Sequence, residues 1–310
     1  MHINVNYVNA LYRLIKQNYD YIYLKSRNYI EANTLIVGSS YAAKGIDVHS
    51  FSEGTINLCC SSQDLYYDQK LIEQYIGEHK NKEYIIILIV GYYDAFRDLL
   101  LESNEGVELI KKIYWPLTGC IRNSMPIMEE YDFFSEIKEF DIENRKELMD
   151  DALGIIAKRS NYYNDYNVRS SSVFSYKGLP WWNTPISVRE KTGRNRAIAH
   201  NKCLEHQESL CKNVQLIDDF LSFINDSNAK LWVVVPPFSK YYSENLDLDM
   251  IRISNEIWAS KCELFRAKYI DFNKWSLFEE GDFLDMDHLN NRGALRFSRC
   301  LASMTCAGEE

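Results

Sequence analysis

Apolar residues follow two patterns along this chain. Five short stretches, 34–37, 55–59, 84–90, 230–235 and 268–272, are mostly continuous apolar runs. Continuous rather than alternating apolar character marks parallel strands covered on both faces. Each stretch is therefore expected to be a strand of one sheet. The segments between them have helical spacing. Residues 64–79 carry Leu65, Tyr67, Leu71, Ile72, Tyr75 and Ile76, and Ser61-x-x-Asp64 ahead of them resembles a capping box. Residues 196–225 can hold a long helix with room for a break. Residues 248–266 hold another, and 129–158 reads as helical. Near the amino end, Leu11, Leu14 and Ile15 are spaced for a helix within 7–23 that is expected to pack on the sheet. Near the carboxyl end, Ala294, Phe297, Leu301 and Met304 follow Asn290, an expected N-cap.

Strands alternating with helices predict right-handed crossovers and an open, doubly wound α/β sheet of five parallel strands. Such sheets bind ligands beyond the carboxyl ends of their strands. Ser40, Ser61 and Gly91 each follow an expected strand closely, so they are expected to converge on that edge. Residues 113–200 break the rhythm. The chain is read as one domain, 1–310, with an insertion at 113–200 that forms a cap or a cleft wall.

The candidate chemistry lies near opposite ends of the chain. Ser40 ends Val37-Gly38-Ser39-Ser40, and Tyr41-Ala42-Ala43-Lys44 can start a helix behind it. A serine at a strand-to-helix junction lies among outward-pointing backbone N–H groups able to receive an oxyanion. Its hydroxyl needs a base, and the base needs an orienting group. Asp285-Met286-Asp287-His288 offers both, with His288 as base and Asp285 as orienter.

These segments resemble the first and last blocks of the SGNH (GDSL-like) hydrolase superfamily, in the branch with a Gly-Ser-Ser nucleophile turn. That branch includes the D-alanyl transfer protein of teichoic acid synthesis and polysaccharide acyltransferases. The run from Asp285 to Ala294 follows the branch pattern D-x-x-H-L-N-x-x-G-A. Asn57-Leu58-Cys59-Cys60-Ser61-Ser62-Gln63 resembles the second block, and Gly91-Tyr92-Tyr93-Asp94 falls where the third, G-x-x-N, belongs. The resemblance covers roughly residues 33–100 and 230–303. It implies a flavodoxin-like three-layer sandwich (the SGNH hydrolase fold) and a catalytic set of Ser40, Asp285 and His288. It also implies an oxyanion hole drawn from Ser40, Ser61, Ser62, Gly91 and Asp94. Two positions depart from the family. The second block usually supplies a glycine N–H, and here Cys60, Ser61 or Ser62 must do so. The third usually supplies an Asn amide, and an ionised Asp94 can only accept. Either Asp94 is protonated, or it turns away and caps a following helix at 95–100, the reading preferred here.

The resemblance further implies acyl-ester chemistry on a carbohydrate, by an esterase or an O-acyltransferase that is expected to move acetyl groups. No cofactor is implied, beyond an acyl donor such as acetyl-CoA for a transferase. Trp181, Trp182, Tyr162 and Tyr163 could stack on sugar rings, or the two tryptophans could anchor the insertion to the core. Tyr41 is a further substrate-binding candidate. Arg189, Lys191, Arg194 and Arg196 form a basic run that is expected to face solvent, although such a run could bind phosphate or carboxylate. A non-catalytic glycan-binding protein on the same fold, and a generic lipase or thioesterase, are the alternative readings.

Composition narrows the partners. With 35 Lys and Arg against 44 Asp and Glu, the net charge is −9, so a nucleic-acid partner is not expected. No apolar run reaches the ~20 residues that span a bilayer, and the start lacks a signal-peptide pattern, which predicts a cytoplasmic protein without an integral membrane segment. The eight cysteines have no disulfide-framework spacing and are expected to be reduced and mostly buried. His200, Cys203 and His206 do not share one helix face, so no metal site is expected there. Oligomeric state is left open.

Overall fold

Every expected strand forms, within two residues of its expected bounds. In a computed structural model of the chain, which describes residues 5–79, 83–102, 104–122, 130–137, 142–159 and 176–307, they are β1 (Thr34–Gly38), β2 (Thr55–Asn57), β3 (Tyr84–Ile89), β4 (Ala229–Val235) and β5 (Lys268–Asp271). All pairings are parallel, in the order β2-β1-β3-β4-β5. Burial explains the continuous apolar runs: Leu35, Ile36 and Val37 of β1 and Ile86 to Ile89 of β3 are essentially inaccessible on both faces.

The longer helices are α1 (Val5–Gln17), α2 (Tyr19–Arg27), α3 (Ser40–Gly45), α4 (Leu65–Glu78), α5 (Ile142–Ala157), α6 (Ile186–Asn201), α7 (Gln207–Asp226), α8 (Leu248–Leu264) and α9 (Asn291–Ala307). Helix α4 packs on β1 and α7, α7 on β4 and α8, and α9 on α3. No helix among the described residues is long and apolar enough to cross a membrane.

Three local expectations change. Asp64, not Ser61, caps α4, its carboxylate accepting from the Tyr67 N–H at 3.2 Å. Segment 7–23 makes its main contacts with α5 rather than with a strand: Tyr7 donates to Asp151 (2.7 Å), and from α2 Arg27 donates to the Ile156 carbonyl (2.8 Å). Among the described residues the helix expected over 129–158 is confined to α5. Residues 130–137 are irregular or turn, where the Asp132 carboxylate takes the Phe134 N–H (2.9 Å) and Phe133 stacks on Tyr21 (4.1 Å). The helix over 196–225 has the break that its reading left room for, at Lys202–Glu205 between α6 and α7. Tyr162, Tyr163 and the serine run 170–172 lie outside the described residues.

The sheet order matters for the site. β1 is flanked by β2 on one side and β3 on the other, so chain direction across the sheet reverses between β1 and β3. A crevice opens at such a point, beyond the strand carboxyl ends. Gly38 pairs with Ile89 in register, which brings the turn after β1 beside the turn after β3. Gly38 has φ +139°, and a Cβ there would lie 2.5 Å from the Ile89 carbonyl oxygen. Only glycine fits this turn.

Candidate active site

Ser40 opens α3 directly after β1. Its Oγ lies 2.8 Å from Nε2 of His288, 248 residues further along the chain. The other ring nitrogen of His288, Nδ1, is 2.9 and 3.1 Å from the two carboxylate oxygens of Asp285. Asp285 also accepts the backbone N–H groups of Asp287 (3.1 Å) and His288 (2.9 Å), so one carboxylate shapes the turn and orients the ring. Asn290 fixes this loop from below. Its Oδ1 accepts the Gly293 N–H at the start of α9, the expected cap, while its Nδ2 donates to the carbonyls of Gly281 and Phe283.

A second carboxylate reaches His288. Asp287 Oδ1 is 3.3 Å from Nδ1, and its Oδ2 accepts from Arg196 Nε at 2.8 Å and from the Tyr41 hydroxyl at 3.2 Å. Burial opposes ionisation of Asp287, but His288 and Arg196 outweigh it and hold its pKa well below the usual carboxylate value. Burial likewise disfavours protonated His288, yet Asp285 and Asp287 together raise its pKa to about 9. The two carboxylates thus favour the imidazolium, and the ring can take up a proton from Ser40 only in its neutral form.

The turn after β2 is braced from three sides. The Gln63 side chain accepts the Cys60 N–H (3.3 Å) and donates to the Leu58 carbonyl (2.9 Å) and Asp68 (2.7 Å). Arg97 donates to the carbonyls of Gln63 (3.0 Å) and Ser62 (3.1 Å). Ser62 sits at φ +60°, in the left-handed region where glycine is favoured and another residue costs about 1–2 kcal/mol. Arg97 offsets that cost by binding the turned carbonyl. Cys60 is removed as an oxyanion donor because its N–H is engaged, which leaves Ser61 and Ser62 in this turn.

Gly91 and Asp94 do not serve as oxyanion donors in this arrangement. The Gly91 N–H donates to Asp94 Oδ2 at 2.6 Å, so the donor of one is spent on the acceptor of the other. Asp94 does not cap a following helix either. It begins the short 3₁₀ turn Asp94–Phe96, and the next helical turn, Leu99–Glu102, takes Asp98 as its cap through the Leu100 N–H (3.0 Å).

A cavity of about 480 Å³ opens at Ser40. Ser39, Ser62, Tyr93 and Arg97 line it from the sheet edge, and Arg196, Ala199 and His200 from α6. The end of the 113–200 insertion is therefore one wall of the cleft. Gly193 allows this approach, since a Cβ there would lie 2.2 Å from the Tyr241 carbonyl oxygen. Of the expected aromatic contacts, Trp181, Trp182 and Tyr41 do not line the cavity. Trp181 is buried and donates from Nε1 to Glu280 (2.7 Å), which makes it the anchor of its segment. Trp182 is 46% exposed but lies outside the lining. Tyr41 is buried behind the site, edge-on to Phe238 (5.1 Å), and supports Asp287 rather than facing a ligand. A second cavity of about 740 Å³, around Lys25, Arg145 and Asp150, shares no lining residue with the first.

The basic run also divides. Lys191 and Arg194 are exposed as expected, but Arg189 lies over the Tyr241 ring (4.8 Å) and Arg196 holds Asp287. His200 stacks on Tyr93 (3.8 Å between ring centres) and pairs through Nδ1 with the Tyr242 hydroxyl (2.5 Å). His200, Cys203 and His206 do not bring three ligand atoms together. Among the described residues, Asp285, Asp287 and His288 are the one such group, and its atoms are engaged by Ser40, Arg196 and Tyr41. Asp287 and Arg196 were not singled out from sequence as site residues. The available signals were a second acid directly beside His288 and an arginine one helical turn from Gly193.

Comparison with known proteins gives no match to any protein-family model and no match among curated sequences.

Proposed function

We propose that the protein is a serine-dependent acyl-ester enzyme of SGNH type, acting on an acylated or acceptor carbohydrate. The observation that carries this reading is the continuous relay Ser40–His288–Asp285, with contacts of 2.8 and 2.9 Å. In the reaction, His288 Nε2 takes the Ser40 proton as Oγ attacks the ester carbonyl. Asp285 accepts the Nδ1–H, holds the tautomer and stabilises the imidazolium. The Ser40 N–H and an N–H from Ser61 or Ser62 receive the oxyanion. His288 then returns the proton to the departing alcohol. The acyl-enzyme passes its acyl group to water, as an esterase, or to a sugar hydroxyl, as an O-acyltransferase.

The test is labelling with a fluorophosphonate probe. The wild type is expected to label and Ser40→Ala is not. Equal labelling of both proteins would remove Ser40 as the nucleophile and favour a glycan-binding role on this fold.

A further inference from the structure

The lining of the Ser40 cavity has a consistent charge. The chain as a whole is acidic, yet Arg97, Arg196 and Lys202 line this cavity beside the imidazoles of His200 and His206, and no Asp or Glu lines it among the described residues. The acids of the site, Asp285 and Asp287, are buried behind His288. The wall presented to a ligand is therefore cationic.

Arg196 is built to use that charge. Its Nε is spent on Asp287 at 2.8 Å, which fixes the plane of the guanidinium. Among the described residues its terminal Nη1 and Nη2 make no hydrogen bond, and the side chain is 37% exposed, on the cavity wall. A guanidinium held at Nε and open at both Nη groups offers a preorganised fork for two oxygens of an anion. Lys202 follows α6 on the same wall, exposed, and among the described residues no carboxylate pairs with it. It adds a mobile charge within reach of the same ligand. A neutral sugar would offer no charged acceptor to the Arg196 Nη groups or to Lys202. An anionic one would satisfy them.

We infer that the ligand of this cavity carries a carboxylate or phosphate group, held by the Arg196 fork and Lys202 so that its ester or acceptor hydroxyl lies at Ser40. The substrate class is then an acidic saccharide, a sugar acid or a sugar phosphate. This rests on the acyl-enzyme reading for the role of Ser40, but the anion site can be tested apart from it.

The experiment measures binding of glucuronate, glucose 6-phosphate and glucose to Ser40→Ala protein by ligand-observed NMR, at two salt concentrations. At least one anion is expected to bind about tenfold or more tighter than glucose, as charge-assisted hydrogen bonds allow. The preference should weaken with salt. Whichever anion wins identifies the group. Arg196→Lys keeps the charge but removes the fork, and Lys202→Gln changes only an exposed side chain, so at least the latter is expected to fold. Each should reduce the preference several-fold. Equal binding of all three sugars, or a preference untouched by both substitutions, overturns the inference. Fluorophosphonate labelling of wild-type Ser40 reports separately on the acyl reading. Labelling without anion preference sinks only the substrate class, and anion preference without labelling sinks only the catalytic role.

Discussion

Arg196 and Asp287 lie 91 residues apart in the chain and meet at 2.8 Å directly behind the His288 ring. Asp287 thereby stays ionised while buried, and His288 gains a second carboxylate beside Asp285. Removing Arg196 would take one of two charged partners from a buried carboxylate, which costs more than loss of a surface pair. His288, the proposed base, is thus supported by a helix of the insertion as well as by its own loop.

That support shapes the expected mutational series. Ser40→Ala and His288→Ala should each lower turnover by about 10⁴-fold or more, with the double variant little worse than either single one. Asp285→Asn should retain more activity than these two, because Asp287 still faces Nδ1. Steady-state hydrolysis of p-nitrophenyl acetate measures all four. Near-normal turnover in Ser40→Ala would falsify the nucleophile assignment.

The two site histidines make opposite predictions for pH. His288 must be neutral to act as base, so turnover should rise from neutral pH towards about 9, the pKa to which Asp285 and Asp287 raise it against burial. Between an unfolded value of 6.5 and about 9, the folded chain holds the extra proton. Its stabilisation is therefore complete below 6.5 and is lost as pH rises through 9. For His200, burial first and then Arg196 lower the pKa to about 3. There the unfolded chain holds the extra proton, so stability present above 6.5 is lost as pH falls towards 3. Urea midpoints against pH should show a flatter alkaline side in Asp287→Asn and a flatter acid side in His200→Gln. Unchanged curves in both variants would count against these assignments.

The adjacent tryptophans should behave unlike each other. Trp181→Ala removes a buried ring and leaves Glu280 without its indole donor, a loss expected at about 3–5 kcal/mol. Trp182→Ala, at an exposed ring, should stay within about 0.5 kcal/mol. Chemical denaturation distinguishes them, and equal losses would contradict the anchor role of Trp181.

Asp94 can be tested by its amide. In Asp94→Asn the side-chain oxygen can still accept the Gly91 N–H, so fluorophosphonate labelling should stay within about tenfold of wild type, whereas loss of an oxyanion donor costs about 10²–10³. A labelling rate that falls or rises a hundredfold would place this residue in the oxyanion hole after all.

Sequence by itself determined the strands, the turn that carries Ser40, the Asn290 cap and the Asp285–His288 spacing. These depend on neighbours a few residues apart. A buried parallel strand must be apolar on both faces, a cap must precede its helix, and Gly38 answers to its own φ as well as to Ile89. Tertiary structure alone decided the rest. The burial of Trp181, the union of Arg196 with Asp287 and the placement of α1 and α2 against α5 each join groups far apart in sequence. The capture of the Gly91 N–H by Asp94 is local in sequence, but both sequence readings of Asp94, as a protonated donor or as a helix cap, miss it. An arginine in a basic run looks the same whether it faces water or a buried acid. Only the close approach that Gly193 permits, once α6 crosses the sheet edge, separates Arg196 from the exposed Arg194 two residues before it.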